Sequence, residues 1–159
     1  MSISEGDRVP QTTFTHMTAD GPKPITTDEV FAGKKVVLFA LPGAFTPTCS
    51  ASHLPGFVAN ADKLKAAGAD TIACLSVNDA FVMDAWGKAQ NAEAILMLAD
   101  GSADFARAMG LELDLSERGM GVRSQRYAML VDDGVITSLN VEAPGQFEVS
   151  SAETMLALL

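Results

Sequence analysis

Three short, mostly apolar runs with helical patterns between them constrain the fold of this chain more than any other feature. The runs cover residues 35–40, 71–77 and 95–99, and they are rich in valine, leucine, isoleucine and alanine. Short runs that are apolar on both faces are typical of the central strands of a parallel sheet. Helical patterns begin near Pro47 and Asn78, in the two intervals, and would supply the right-handed crossovers that parallel strands need.

The last third of the chain adds an antiparallel pair. Residues 126–131 and 135–141 both predict strands, and Asp132-Asp133-Gly134 between them is a strong hairpin signal. Parallel strands followed by a hairpin and a final helix predict an α/β chain with a central mixed sheet flanked by helices, an order that suits a thioredoxin-like fold. The chain of 159 residues is 48% hydrophobic and shows no repeat or linker, so we expect one domain over residues 1–159.

The remaining segments carry weaker patterns. Residues 9–17 alternate roughly and predict a strand, and Thr27–Phe31 predicts a short helix. Residues 111–124 contain two glycines and predict a mostly irregular segment. A final helix is expected to begin at Ser150, with Glu153 completing a capping box.

Composition excludes several classes of protein. The 20 acidic and 11 basic residues give a net charge of −9, which argues against a nucleic-acid partner. No apolar run approaches the length of a membrane span, and the N-terminus lacks the basic and apolar regions of a signal peptide, so we expect a cytoplasmic protein with no membrane partner. Cys49, Cys74, His16 and His53 show no ligand spacing, so no metal site is predicted, and both histidines are interpreted as structural.

The junction between the first central strand and the helix after it carries the chemistry. Thr46 is a good N-cap, whose hydroxyl is expected to accept a hydrogen bond from an N–H of the first turn, and Pro47 suits the first helical position. Cys49 then lies in the first turn, near free N–H groups and the positive end of the helix dipole. A cysteine there is a candidate thiolate, the form that attacks electrophiles. Farther along, Pro55 lacks an N–H and predicts a kink.

The helix terminus alone is too weak to ionise a thiol at neutral pH. A free cysteine has a pKa of about 8.5, so a strongly reactive one needs its pKa lowered by roughly 2 units, which corresponds to about 2.7 kcal/mol. A helix N-terminus supplies only ~0.3–1 kcal/mol, and up to ~2 in partly buried geometry. A cation must therefore fold back to Cys49, since residues 36–62 contain no lysine or arginine. Arg123 and Arg126 are the candidates, and the residues alone do not choose between them, whereas Arg118 is interpreted as a solvated loop residue.

Free cysteines are more often small buried hydrophobes than nucleophiles. Cys74 is interpreted as such a buried residue, because it lies in the middle of an apolar strand. Burial there disfavours the thiolate and keeps reactants away from the sulfur. Cys49 stands instead among proline, glycine, threonine and serine at a loop-to-helix junction, which favours a reactive role.

Residues 42–50, which read Pro-Gly-Ala-Phe-Thr-Pro-Thr-Cys-Ser, resemble the active-site segment of the peroxiredoxins, whose pattern is Pro, three residues, Thr, two residues, Cys. The resemblance continues through residues 53–57, 74–82 and 126–129 and covers essentially the whole chain. It is to the type II group of the AhpC/TSA superfamily, which includes the mammalian mitochondrial and peroxisomal enzyme and the plant type II enzymes. This resemblance implies an antioxidant thiol peroxidase that reduces hydrogen peroxide and alkyl hydroperoxides without a cofactor.

The resemblance also implies residue roles. Cys49 matches the peroxidatic cysteine, which attacks the O–O bond and becomes a sulfenic acid. Thr46 matches the hydroxyl that hydrogen-bonds the peroxide, and Pro42 matches the ring that shields the intermediate from water. Arg126 matches the arginine that activates the sulfur and stabilises the transition state, and backbone N–H groups around Phe45 and Cys49 would complete the oxygen site.

One departure from the family pattern concerns the second half of the cycle. Some type II members carry a resolving cysteine before the last helix, where residues 147–151 of this chain read Phe-Glu-Val-Ser-Ser. A one-cysteine cycle is therefore expected, in which an outside thiol reduces the sulfenic acid: glutathione with glutaredoxin, or thioredoxin as the alternative. The resemblance also implies a homodimer, with the loops near Phe45, Phe81 and Met120 at the interface.

Two other functions fit a thioredoxin-like chain. A redox sensor or partner-binding module would use oxidised Cys49 to dock a partner, but it would not need Pro42, Thr46 and Arg126 together. A disulfide oxidoreductase is disfavoured, because Thr46 stands where a Cys-x-x-Cys pair would place its first thiol.

Overall fold

The computed structural model describes residues 2–159. Within this range the strands are β1 (Thr13–Thr18), β2 (Gly21–Thr26), β3 (Lys35–Leu41), β4 (Thr71–Ser76), β5 (Leu96–Ala99), β6 (Glu112–Leu115), β7 (Gly121–Ser124), β8 (Tyr127–Asp132) and β9 (Val135–Val141). The α-helices are α1 (Thr27–Phe31), α2 (Leu54–Ala66), α3 (Ala80–Ala89), α4 (Asp104–Met109) and α5 (Ala152–Leu158). A π-helical segment, Cys49–His53, leads directly into α2. No helix in the described residues is both long and apolar enough to cross a membrane.

Seven of the strands form one mixed sheet in the order β2-β1-β5-β4-β3-β8-β9. Its centre consists of β3, β4 and β5, which run parallel to one another. On either side, β8 pairs antiparallel with β3, and β1 pairs antiparallel with β5. The predicted mixed sheet, with parallel strands at its centre and a C-terminal hairpin, is confirmed.

Alternation along the central strands divides the core between the two faces of the sheet. Val37, Phe39 and Leu41 of β3 pack on one face, in a cluster that also contains Cys49, Cys74 and residues of α2, α3 and α5. The intervening residues of β3 pack on the other face, with residues of α1 and α4. Cys49 is therefore part of the core on the first face.

The pairing of β3 with β8 positions the candidate site. The two strands are antiparallel, and Ala40 near the end of β3 lies opposite Tyr127 at the start of β8. The chain that enters β8 therefore lies beside the loop that leaves β3. Because Arg126 immediately precedes Tyr127, this register brings Arg126 to the loop before Cys49.

Two segments form strands that the sequence does not predict. Strand β2 contains Pro22 and Pro24, which disfavour a strand, and is tolerated because it lies at the edge of the sheet. Residues 111–124, predicted to be mostly irregular, form the β6–β7 hairpin around a short 3₁₀ turn. The prediction there is wrong because Gly119, with a φ of 75°, lies at the hairpin turn, and Gly121 is the first residue of β7, so neither glycine interrupts a strand.

The N-cap of the last helix lies one residue later than predicted. Its N-cap is Ser151, whose hydroxyl accepts a hydrogen bond from the N–H of Thr154 at 3.2 Å. The capping box predicted between Ser150 and Glu153 is therefore wrong. The Ser150 hydroxyl instead donates to the carboxylate of Glu142 at 2.6 Å.

Candidate active site

Cys49 begins a π-helical segment rather than an ordinary α-helical turn. The N–H of Leu54 bonds to the carbonyl of Cys49, five residues back. Pro55 explains the wider turn, because it has no N–H and its ring would clash with the carbonyl four residues earlier in a regular α-helix. π-Turns inside helices are rare and frequently occur at functional sites. The irregularity predicted at Pro55 thus takes the form of a π turn just before the proline.

The hydroxyl of Thr46 bonds to the preceding loop. Its Oγ1 donates to the carbonyl of Gly43 at 2.6 Å. The helical segment has Thr48 as its N-cap, with no side-chain cap bond, so the expectation that Thr46 accepts from a first-turn N–H is wrong. The backbone carbonyl of Thr46 accepts from the N–H of Ser50 at 2.9 Å, which continues the helix. Since the hydroxyl proton is used by Gly43, the lone pairs of Oγ1 remain to accept a hydrogen bond from a bound O–H group.

Asn78 ties the loop before Cys49 to the end of β4. Its Oδ1 accepts from the N–H of Ala44 at 3.0 Å and from the hydroxyl of Ser76 at 2.6 Å. Phe45, which follows Ala44 in this loop, has a φ of 65°, in the left-handed region. Such a conformation costs of order 1–3 kcal/mol outside glycine and persists only where surrounding contacts hold it. The loop is therefore a fixed and strained element.

Arg126 bridges the two ends of the π-helical segment. Its Nη2 donates to Sγ of Cys49 at 3.1 Å, and its Nη1 lies 2.8 Å from Nδ1 of His53. A guanidinium has only donors, so Nδ1 of His53 is the acceptor. The planar guanidinium thus places a permanent positive charge next to the sulfur, and its second contact, with His53, fixes that position. This is the cation that a thiolate at Cys49 needs in addition to the helix dipole.

His53 is buried and neutral. Its ring centroid lies 5.0 Å from that of Phe39 and 4.9 Å from that of Phe147, and its Nε2 lies 2.9 Å from the carbonyl oxygen of Ser150. Burial lowers the pKa of His53 to about 3, and the positive charge of Arg126 lowers it in the same direction. Because a carbonyl only accepts, Nε2 carries the proton and Nδ1 offers its lone pair to Arg126.

Arg123 supports the loop instead of the sulfur. Its Nε donates to the carbonyl of Met120 at 2.9 Å, and its Nη1 donates to the carbonyls of Pro42 and Val77 at 3.4 and 3.3 Å. Those two carbonyls follow the ends of β3 and β4, so the guanidinium joins the two connections. Of the two arginines that the residues alone leave as candidates, Arg126 donates to the sulfur of Cys49, whereas Arg123 donates to backbone carbonyls.

Cys74 has the environment of a structural cysteine. It lies in the middle of β4, opposite Phe39 on one side and Met97 on the other. Burial raises the pKa of its thiol, and negative charge at Cys49 raises it further. Both cysteines are buried, but only Cys49 receives a hydrogen bond from Arg126.

A cavity of about 300 Å³ opens beside Arg126. Its walls include Pro42, Thr48, Leu113 and Phe147, so they are largely apolar. Because Arg126 lines the cavity, a ligand in it would lie beside the guanidinium that contacts Sγ of Cys49. Among residues 2–159, no group of three histidine, cysteine or acidic side chains is placed to hold a metal ion.

The structure thus gathers the predicted site residues and adds another. Pro42, Thr46 and Arg126 surround the start of the helix that carries Cys49, whereas the Phe45 ring projects to the surface. The role of His53 is missed by the sequence, where a lone histidine is interpreted as structural. Two signals could have pointed to it: its position four residues after the cysteine, which places both on one helix face, and its place in the family-like segment 53–57.

Comparisons with known proteins assign this arrangement to a family. The sequence model of the Redoxin family matches residues 4–156. Chloroplastic peroxiredoxin-2E-2 of Oryza sativa subsp. japonica is 52% identical over 99% of this chain and 73% of its own length. Peroxiredoxin-2D of Arabidopsis thaliana is 49% identical over 99% of this chain and 98% of its own length. Reduced Prx3 of Vibrio vulnificus, solved in complex with hydrogen peroxide, is 62% identical and has a TM-score of 0.96 over 98% of both chains.

Identity of this extent, over nearly the whole length, confirms the thioredoxin-like fold and the resemblance carried by residues 42–50. The chain belongs to the redoxin family and, within it, to the type II peroxiredoxins.

Proposed function

We propose that this chain reduces hydrogen peroxide and organic hydroperoxides at Cys49, and that an external thiol completes each turnover. As a peroxiredoxin the chain is a thiol-dependent peroxidase; the reacting residues and the reductant are what we add. The observation that carries the proposal is the 3.1 Å contact between Nη2 of Arg126 and Sγ of Cys49. Arginine stays charged at any physiological pH, so its guanidinium remains a positively charged hydrogen-bond donor next to the sulfur.

In the first step the Cys49 thiolate attacks the terminal oxygen of the hydroperoxide. The S–O bond forms as the O–O bond breaks, so the sulfur is oxidised to a sulfenic acid. The departing oxygen takes a proton and leaves as water or an alcohol. Arg126 stabilises the negative charge as it moves from sulfur to the departing oxygen. The lone pairs of the Thr46 hydroxyl accept from the peroxide O–H, and backbone N–H groups around Phe45 and Cys49 complete the oxygen site.

The cavity beside Arg126 supports organic hydroperoxides as substrates. Its volume of about 300 Å³ and the side chains of Pro42, Leu113 and Phe147 suit an apolar organic group. The ring of Pro42 would also limit the access of water to the sulfenic acid.

In the second step an external thiol attacks the sulfenic sulfur and releases water, leaving a mixed disulfide that a second thiol resolves. The chain has two cysteines, and Cys74 pairs with both β3 and β5, so a bond to Cys49 would disrupt the centre of the sheet. Ser150 and Ser151 occupy the region where other members carry a resolving cysteine. We therefore favour glutathione with glutaredoxin as the reductant over thioredoxin. A reducing compartment such as the cytoplasm would supply these thiols.

Two exposed phenylalanines support a homodimer. The side chains of Phe45 and Phe81 are 56% and 65% exposed, although large apolar rings are usually buried. The Phe45 ring centroid lies 6.4 Å from that of Trp86, on the helix that begins beside Phe81. A second copy of the chain would cover both rings, with Met120 at the margin of the contact.

The test is peroxide consumption by Cys49→Ser and Cys74→Ser, with hydrogen peroxide and an organic hydroperoxide, in the presence of either glutathione with glutaredoxin or thioredoxin with its reductase. Cys49→Ser should abolish turnover, and Cys74→Ser should keep most of it. Full activity in Cys49→Ser would end the proposal. An intramolecular disulfide in the oxidised protein, detected by mass spectrometry, would overturn the one-cysteine cycle. A slow reaction of Cys49 with every peroxide would favour a redox sensor.

A further inference from the structure

A buried carboxylate holds the loop that joins β9 to α5. Glu142 lies directly after β9, and its Oε2 accepts from the N–H groups of Val149 and Ser150 at 2.9 and 2.8 Å. The same oxygen accepts from the Ser150 hydroxyl at 2.6 Å, and Oε1 accepts from the N–H of Glu148 at 2.9 Å. Hydrogen bonds to an ionised acceptor are about twice as strong as neutral ones. Three successive N–H groups and a hydroxyl on one carboxylate therefore fix this loop at Ser150.

The loop places the backbone carbonyl of Ser150 in the candidate site. The carbonyl of Ser150 accepts from Nε2 of His53 at 2.9 Å, across 97 residues of sequence. If the proton sat on Nδ1 instead, Nδ1–H would face an N–H of Arg126, and the 2.8 Å contact between them would be repulsive. The Ser150 carbonyl and Arg126 therefore favour the same tautomer of His53, and only in that tautomer does Nδ1 accept from Arg126.

We propose that Glu142 is a positioning residue for the peroxidase reaction: it holds the Ser150 carbonyl against His53, which keeps His53 in the tautomer that orients Arg126 towards Cys49. This inference rests on the proposed function, since it takes Cys49 and Arg126 as the reacting pair. The backbone N–H of Glu142 donates to the carbonyl of Arg126 at 2.9 Å, a bond that does not depend on the side chain. The carboxylate has its hydrogen bonds with Glu148, Val149 and Ser150, so it acts through Ser150 and His53.

The charge of Glu142 fits this role. Burial alone would raise the pKa of its carboxyl, but hydrogen bonds from the Ser150 hydroxyl and from the N–H groups of Glu148, Val149 and Ser150 outweigh it and lower the pKa. The carboxylate is therefore ionised at neutral pH, and as a pure acceptor it matches four donors. A glutamine would bring an N–H₂ group against N–H groups that have no other acceptor in this loop.

The first measurement is the tautomer of His53 in the reduced wild-type protein, read from the ¹⁵N chemical shifts of its ring. The chain has two histidines, so the spectrum is simple, and His16 on β1 serves as an internal reference. We expect the Nε2–H tautomer of His53 to persist from about pH 5 to pH 8. A dominant Nδ1–H tautomer in the wild-type protein would overturn the proposal without any variant.

The second measurement compares Glu142→Gln with Glu148→Gln. Both remove one charge from the same loop, but the Glu148 side chain is exposed. In Glu142→Gln the His53 shifts should move towards a mixture of tautomers, and the rate of Cys49 oxidation by hydrogen peroxide should fall about tenfold, as expected when one orienting hydrogen bond is lost. Glu148→Gln should change neither. Unaltered His53 shifts in a folded Glu142→Gln protein would overturn the proposal, whatever its rate, because the carboxylate would then only support the loop.

A double variant separates this pathway from a general loss of order. If Glu142 acts through His53, Glu142→Gln should lower the rate in the wild-type background but add nothing in a His53→Gln background. Additive losses would overturn the proposal. Failure of the proposed function gives a different pattern, in which Cys49→Ser remains active while the His53 shifts still respond to Glu142→Gln.

Discussion

Nη1 of Arg126 donates to Nδ1 of His53 over 2.8 Å, so a buried neutral imidazole fixes the orientation of a permanent cation. The second terminal nitrogen of that arginine is thereby directed at a sulfur. Lysine has the charge but lacks a second donor in fixed geometry. The arrangement therefore needs the shape of the guanidinium as well as its charge.

Replacing Arg126 by Met should lower the second-order rate constant for Cys49 oxidation by about 10²–10³, the range found when one donor to a developing charge is removed. Arg126→Lys should recover part of the loss, because it restores the charge without the contact to His53. Stopped-flow fluorescence can follow the reaction, since the chain has one tryptophan and Trp86 donates to the hydroxyl of Ser50, next to Cys49. Equal rates in Arg126→Met and wild type would show that Arg126 takes no part in the reaction.

Replacing Arg123 by Met should have a different signature. It would release the carbonyls of Pro42 and Val77 from one guanidinium, with a loss of stability of about 1–3 kcal/mol as those acceptors lose a charged donor. The oxidation rate should fall less than in Arg126→Met, because the contact between Arg126 and Cys49 stays in place. A rate loss as large as that of Arg126→Met, in a protein that remains folded, would show that Arg123 also acts on the sulfur. Chemical denaturation and stopped-flow rates provide the two readouts.

Substitution of Gly43 provides a second test of the loop before Cys49. A Cβ at this position would lie 2.9 Å from Nη1 of Arg123 and 3.2 Å from Cγ2 of Thr46. Gly43→Ala should therefore lower stability by about 1–3 kcal/mol through overpacking and slow the reaction with peroxide. The matched control is Gly56→Ala, in α2, where a new Cβ meets nothing within 4 Å. That control should be neutral or more stable by up to about 1 kcal/mol, because alanine is the better helix former.

Burial of neutral His53 makes the stability of the fold depend on pH. Its folded pKa of about 3 lies below the value of roughly 6.5 expected in the unfolded chain. The stabilising contribution is therefore complete above about pH 6.5 and is lost as the pH falls towards the folded pKa, because the unfolded chain then binds the extra proton. At about pH 5 the expected loss is about 2 kcal/mol.

Urea denaturation at neutral and mildly acidic pH measures this loss. His53→Gln should remove the dependence, and His16→Gln should retain it. An equal pH dependence in wild type and His53→Gln would mean that other groups account for it.

The parallel strands and the C-terminal hairpin follow from the sequence because each carries its own local pattern. Strand β2 does not, since Pro22 and Pro24 oppose a strand locally and only its place at the sheet edge permits one. The position of Cys49 at the start of a helix was likewise predicted from the local signals of Pro47 and its neighbours.

The contacts of the site depend on distant partners and were harder to predict. Thr46 was expected to cap the helix, but its hydroxyl donates to Gly43, a choice that depends on how the loop is held. The residues alone do not separate Arg123 from Arg126; the family resemblance points to Arg126, and the register of β8 against β3 brings that residue to the loop before Cys49. The role of His53 depends on partners 73 and 97 residues away, which no local pattern encodes.

The contact between Arg126 and Cys49 spans 77 residues, and the N-terminal partner is the thiol. During synthesis the cysteine leaves the ribosome first, and domains generally complete their folding as units. Until β8 has docked against β3, the nascent chain carries Cys49 without its guanidinium. On the proposed mechanism, the completed fold is therefore what makes this thiol reactive, and in a truncated or half-made chain peroxide would meet an ordinary cysteine.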